Sequence, residues 1–122
     1  MDLDWLRETL FEVGGYPSNE RTLIWKHLLE LPLNKENFEA LLLKGPHSAY
    51  EHLYQKYPIE PISLYERFIR ILSTLAHWCE FLTKVDFFPA LVFPFVKSIE
   101  NDDLVIFEIT VSLLMHWSKE WF

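Results

Sequence analysis

Apolar residues recur every three or four positions along most of this 122-residue chain, the spacing of amphipathic helices rather than of strands. The first helix reads from Asp4 to Val13, with Leu3, Leu6, Leu10 and Val13 on one stripe. Gly14-Gly15 ends it, because glycine tolerates the left-handed conformation at a helix C-terminus. Tyr16-Pro17-Ser18 restarts the chain, Ser18 serving as N-cap for a helix from Asn19 to about Glu30 that Pro32 closes. Asn34 caps the next helix, which turns Phe38, Leu41 and Leu42 inward and stops at Gly45-Pro46. A weaker helical pattern covers His47 to Lys56, with Tyr50, Leu53, Tyr54 and Tyr57 as its apolar-aromatic side.

Pro58 and Pro61 bracket a turn, and Ser63-Leu64-Tyr65-Glu66 matches a capping box. The helix it opens has the most regular period in the chain. Leu64, Phe68, Ile71, Leu72, Leu75, Cys79 and Leu82 share one face, against Glu66, Arg67, Arg70, Ser73, Thr74 and His77 on the other. The stretch from Asp86 to Lys97 is almost wholly apolar and carries two prolines. Asp86 is its expected cap, and Pro89 is acceptable in a first helical turn. Pro94, five residues on, is expected to kink or divide the segment. Asn101 or Asp102 then caps a final helix, apolar most of the way round from Leu104 to Trp121. Such a helix is buried on all sides, and the upstream helices cannot easily cover it. The sequence therefore predicts an all-α domain over residues 1–122, with about seven helices, truncated at its C-terminus. No internal repeat, low-complexity tract or long linker divides it.

Composition narrows the classes of function. Half the residues are hydrophobic, ample for a core. Eleven basic against eighteen acidic residues give a net charge of −7, with the basic residues scattered singly. Nucleic acid and anionic membranes require a concentrated cationic surface, so neither is an expected partner. The longest apolar run, Phe87 to Val96, is half of the roughly 20 residues a membrane span requires. Met1-Asp2-Leu3-Asp4-Trp5 begins with acid where a signal peptide has base, and a single cysteine fits a reducing compartment. A soluble intracellular protein is expected.

Candidate chemistry is sparse. The five histidines, His27, His47, His52, His77 and His116, form no i,i+4 pair of a helical zinc site. Cys79, on an apolar helix face without a cationic cluster, reads as an inert core thiol. Gly14, Gly15 and Gly45 are all the glycines there are, so no phosphate loop exists. Asp102-Asp103 reads as helix capping rather than metal ligation. Glu108, an acid in an apolar helix, reads as a structural ion pair or an exposed edge. Phe87, Phe88, Phe93 and Phe95 read as core, with a docking surface at Phe87 and Phe88 as the alternative. No catalytic residue, cofactor or metal is expected.

Two blocks resemble a known family. Arg21-Thr22-Leu23-Ile24-Trp25, followed by Leu28-Leu29, resembles the Arg-x-x-x-Trp signature that opens the TBC domains of Rab GTPase-activating proteins. Leu91-Val92-Phe93-Pro94-Phe95-Val96, with Asn101-Asp102-Asp103-Leu104 through Phe107-Glu108, resembles the middle of that domain. There a helix carrying a glutamine finger precedes an acidic turn and a long buried helix. The run from Phe88 to Lys97, with the ending Trp117-Ser118-Lys119-Glu120-Trp121-Phe122, looks nearest to a divergent, WD-repeat-bearing branch associated with centrosomes and cilia.

The resemblance implies a chemistry and also its loss. TBC domains supply an arginine from an Ile-x-x-Asp-x-x-Arg motif and a glutamine from a Tyr-x-Gln motif; an inserted arginine is worth on the order of 10³–10⁵ in rate. Here the Tyr-x-Gln position falls on Phe87-Phe88-Pro89, so Pro89 stands in the place of the glutamine. Proline has neither the amide side chain nor a backbone donor. Between Trp25 and Ser63 there is no arginine. The resemblance therefore implies a fingerless, non-catalytic interaction or scaffold domain of a larger cytoplasmic protein, located at the centrosome, centriolar satellites or cilium base. Its Arg21 and Trp25 would be architectural and its partners proteins. The alternatives are Rab-type GTPase binding without stimulation, and an active Rab GTPase-activating protein using Arg67 or Arg70.

Overall fold

A computed structural model describes residues 3–29, 31–99 and 102–121, with the side chains at 3, 6, 18, 29 and 116–121 outside the description. Every element among the described residues is helical: α1 (Leu3–Gly14), α2 (Ser18–Leu29), α3 (Lys35–Leu42), α4 (Leu53–Lys56), α5 (Ile62–Trp78), α6 (Phe88–Ser98) and α7 (Asp103–Trp121), with 3-10 turns at Ser48–Tyr50 and Glu80–Lys84. The all-α class read from the periodicity is the one observed. The chain divides into two compact units, Met1–Leu33 with Ser98–Phe122, and Asn34–Lys97.

In the first unit α1 packs on α2 and α2 on α7. Trp25, Ile99, Val105, Ile106 and Ile109 are fully enclosed there. Six consecutive positions of α7, Val105 to Thr110, are buried, so no side of that stretch faces solvent. Asp102 caps α7, its Oδ1 accepting the Val105 N–H at 3.2 Å; Asn101, the other candidate cap, and Glu30, the expected end of α2, lie outside the described residues. Ser18 is the first residue of α2 rather than its cap. The Pro17 carbonyl accepts from Glu20 and Arg21 and so starts the helix one residue early.

In the second unit α5 is the axis against which α3 and both 3-10 turns pack. Phe68, Ile71, Leu72 and Leu75 are wholly buried, as their shared face requires. The Phe68 ring meets Phe93 of α6 edge-on at 5.3 Å between centroids, and Tyr57 at 6.5 Å. Asn34 caps α3 through its Oδ1, which accepts from the Asn37 N–H at 3.1 Å.

Three expectations fail in this unit, and at Pro94 the expected division of the helix is not observed. The capping box at Ser63 does not form, because the Pro61 carbonyl accepts from Leu64 and Tyr65 and opens α5 at Ile62. α5 ends at Trp78, and Cys79 is extended at φ −144° and ψ 98°, so Cys79 and Leu82 leave the helix. Ser73 and Thr74, read as solvent-facing, are each 2% exposed. Their hydroxyls are both occupied: Ser73 Oγ accepts the N–H of His47, 26 residues earlier, at 2.9 Å, and Thr74 donates to the Arg70 carbonyl within its own helix. Finally, α6 runs through Pro94 undivided. Pro94 and Ala90, whose carbonyl loses its i+4 donor, are both exposed, so the missing bond lies on the solvated side of the helix.

Candidate functional site

The residues singled out by sequence separate into a buried set and an exposed one. Trp25 is completely enclosed. Four residues earlier on α2, the Arg21 guanidinium donates from Nη1 to the Ser98 carbonyl at 2.9 Å and from Nε to the Tyr16 carbonyl. Helix ends leave carbonyls without intrahelical donors, and Arg21 satisfies one at the last residue of α6. The planar fork of Arg21 is thereby spent on backbone oxygens of its own unit. Lys26, one turn further along α2, approaches Asp102 at 3.9 Å, and both side chains are about one-third exposed.

Pro89 is buried in the first turn of α6, next to the wholly enclosed Phe88. Phe88 therefore cannot belong to a docking surface: the helix starts at that residue and turns its ring into the core. Phe87, just outside the helix, is 51% exposed. One turn along, Ala90, Phe93 and Pro94 face Lys56, Tyr57, Pro58 and Ile59 across a hollow of about 360 Å³. Its lining contains no carboxamide and no guanidinium; its one charged residue, Lys56, stands 5.7 Å from the Tyr57 ring centroid. Arg67 is half-buried and Arg70 exposed on α5, and both have interaction partners.

Two features were not legible in the sequence. Glu108 is 5% exposed, and its Oε1 accepts the Leu33 N–H at 2.7 Å. Leu33 has φ 54°, a left-handed backbone for a residue with a branched side chain. The carboxylate thus clamps a strained turn 75 residues away in sequence. The second feature joins His47 and His77, whose rings lie 5.1 Å apart. His47 Nδ1 accepts the Ala49 N–H at 3.0 Å, which leaves the ring proton on Nε2 to donate to Glu80 at 2.8 Å. His77 Nε2 donates to the Gly45 carbonyl at 2.9 Å. Below this network Tyr50 is 5% exposed, its hydroxyl enclosed without a hydrogen-bond partner among the described residues. Burial, and secondarily the Glu80 charge, push its phenol up to about 12. Periodicity cannot show either feature, because both join residues from separate elements.

Among the described residues, no group of three or more His, Cys, Asp or Glu could hold a metal ion, and no helix is long and apolar enough to cross a membrane. What these residues define is a helical domain in which Arg21 is bound into the fold.

The chain is 41% identical over 117 residues to TBC1 domain family member 31 of Xenopus laevis, which covers 96% of this chain and 11% of the relative. The proteins of that name from Mus musculus and Homo sapiens are 42% and 41% identical over 109 residues, 89% of this chain. The chain spans about a tenth of the length of these relatives. Such similarity over nearly the whole chain, with an all-α architecture, supports a TBC-type domain. No family model and no solved structure matches.

Proposed function

We propose that this domain is a non-catalytic TBC-type interaction module within a larger protein, one that lacks both groups with which Rab GTPase-activating proteins speed hydrolysis. The observation that carries the reading is Pro89, buried in the first turn of α6 at the position the resemblance gives to the glutamine. A γ-phosphate attacked by water needs an orienting amide and a cation. Proline supplies no amide, and the hollow beside it is lined by aromatic and aliphatic groups with a single lysine. Arg21, held by two backbone carbonyls, is on this reading an architectural residue, as is the enclosed Trp25. Phe87 is the surface aromatic left for a protein partner at this end of α6. The same reading has the protein work in the cytoplasm, at the centrosome, centriolar satellites or cilium base.

Single-turnover GTP hydrolysis across a panel of Rab GTPases tests it, using both the 122-residue chain and a protein of the relatives' full length. The expected rate stays within about twofold of intrinsic hydrolysis for every Rab. Stimulation on the order of 10³ that Arg67→Ala or Arg70→Ala abolishes would establish catalysis and overturn the proposal. Retention of a GTP-loaded Rab without stimulation would make the domain a GTPase-binding module, and tagged-protein imaging tests the location.

A further inference from the structure

The second unit carries a groove apart from the start of α6 on which the proposed function rests. One lobe, of about 430 Å³, lies between the end of α3 and the outer face of α5, lined chiefly by Leu42, Pro46, Tyr65 and Ile69. A second lobe, of about 490 Å³, shares Pro46, Tyr65 and Ile69 and extends to His47, Tyr50 and Glu51. The three shared residues set the two lobes next to each other along α5, as a two-lobed trough. Its wall on α5 runs from Tyr65 to Thr74, about 14 Å at 1.5 Å per residue. That is the length of two and a half helical turns, longer than a compact small molecule needs and suited to a peptide segment.

The rim indicates the charge of the occupant. Glu66 borders the first lobe and Glu51 the second, both exposed, and neither side-chain carboxylate makes a hydrogen bond or ion pair among the described residues. Arg70, the cation of the lining, already has an interaction partner. The walls are also fixed in advance. Ser73 holds the His47 backbone, His77 holds the Gly45 carbonyl, and the His47 ring is tied to both Ala49 and Glu80. Four hydrogen bonds thus set the Gly45–Ala49 segment that forms one bank. A pre-formed apolar trough whose rim carries two exposed carboxylates against one arginine is built to receive a segment with apolar anchors and basic neighbours.

We infer that this trough is a docking site for a partner-protein segment that presents two large apolar side chains one helical turn apart, flanked by lysine or arginine. The inference does not depend on whether the domain stimulates a GTPase, so failure of one leaves the other standing.

The test pans a random dodecapeptide phage library against the 122-residue chain, then measures synthetic hits by fluorescence anisotropy. Expected hits carry apolar residues spaced three or four apart beside Lys or Arg, and their affinity falls as salt rises. Glu51→Lys with Glu66→Lys, both at exposed positions, should weaken binding about tenfold and restore it for peptides whose basic residues are replaced by glutamate. Ile69→Asp should weaken binding by at least about tenfold, with a circular-dichroism melt confirming that the variant is folded. Absence of enriched peptides, or binding indifferent to the charge-reversed pair, overturns the proposal. The charge-reversed pair decides the matter if Ile69→Asp does not fold.

Discussion

Removing the Glu108 carboxylate tests whether a single buried acid holds the turn at Leu33. The geometry gives the expected size. Its Oε1 accepts the Leu33 N–H at 2.7 Å, and the acid is 5% exposed. A hydrogen bond to a charged group contributes about 1.5–3 kcal/mol, against about 1 kcal/mol for a neutral one. Leu33 at φ 54° adds roughly 1–2 kcal/mol of backbone strain that only surrounding contacts maintain. Glu108→Gln keeps an acceptor oxygen and should cost about 1 kcal/mol. Glu108→Leu leaves the amide without its acceptor and should cost about 2–3 kcal/mol, lessened by the desolvation that the carboxylate no longer suffers. Leu33→Gly, which removes the strain, should stabilise by up to about 1 kcal/mol in the native background. Urea unfolding with a double-mutant cycle measures all three, and coupling of at least about 0.5 kcal/mol is expected between the two sites. A Glu108→Leu variant as stable as the parent, or additive with Leu33→Gly, would refute the clamp.

Arg21→Met removes both carbonyl contacts and should lower stability by about 1–3 kcal/mol in urea unfolding, with Arg21→Lys recovering only part because it lacks the planar fork. For Tyr50, folding raises the phenol from 10 to about 12, so between those values the unfolded chain releases a proton that the folded chain keeps. Its contribution is therefore complete below pH 10 and is lost as pH rises towards 12; Tyr50→Phe should flatten that decline and, with no partner to forfeit among the described residues, match or exceed the parent in Tm at pH 7. Asn34→Ala should cost about 1 kcal/mol, since it deletes an observed cap, whereas Ser63→Ala should fall within about 0.5 kcal/mol of the parent in the same assay because its box is not formed.

Where the observation concerns one helix and its solvent, the residues alone were enough. Period 3.6 gave the face of Phe68, Ile71, Leu72 and Leu75, and the apolar girth of α7 gave its burial, because burial of a stripe is set by which side chains water rejects. Asn34 and Asp102 were legible as caps, since a cap bonds within three residues of itself. The resemblance to TBC domains was equally a property of residues in order, and similarity to relatives over nearly the whole chain supports it.

Tertiary structure decided the rest, wherever a group's partner lies far along the chain. Ser73 and Thr74 looked solvent-facing because periodicity counts only one helix, while the segment that covers Ser73 begins 26 residues earlier. Glu108 looked like an anomaly until its acceptor oxygen met Leu33. Phe87 and Phe88 are neighbours of the same chemistry, yet one is half exposed and the other enclosed, because the helix begins between them. Ser63 failed as a cap because the Pro61 carbonyl nucleates α5 first, and Pro94 did not divide α6 because Ala90, whose carbonyl loses its donor, is exposed. The groove beside α5 belongs wholly to this second category, since its banks come from separate elements and only packing brings them together.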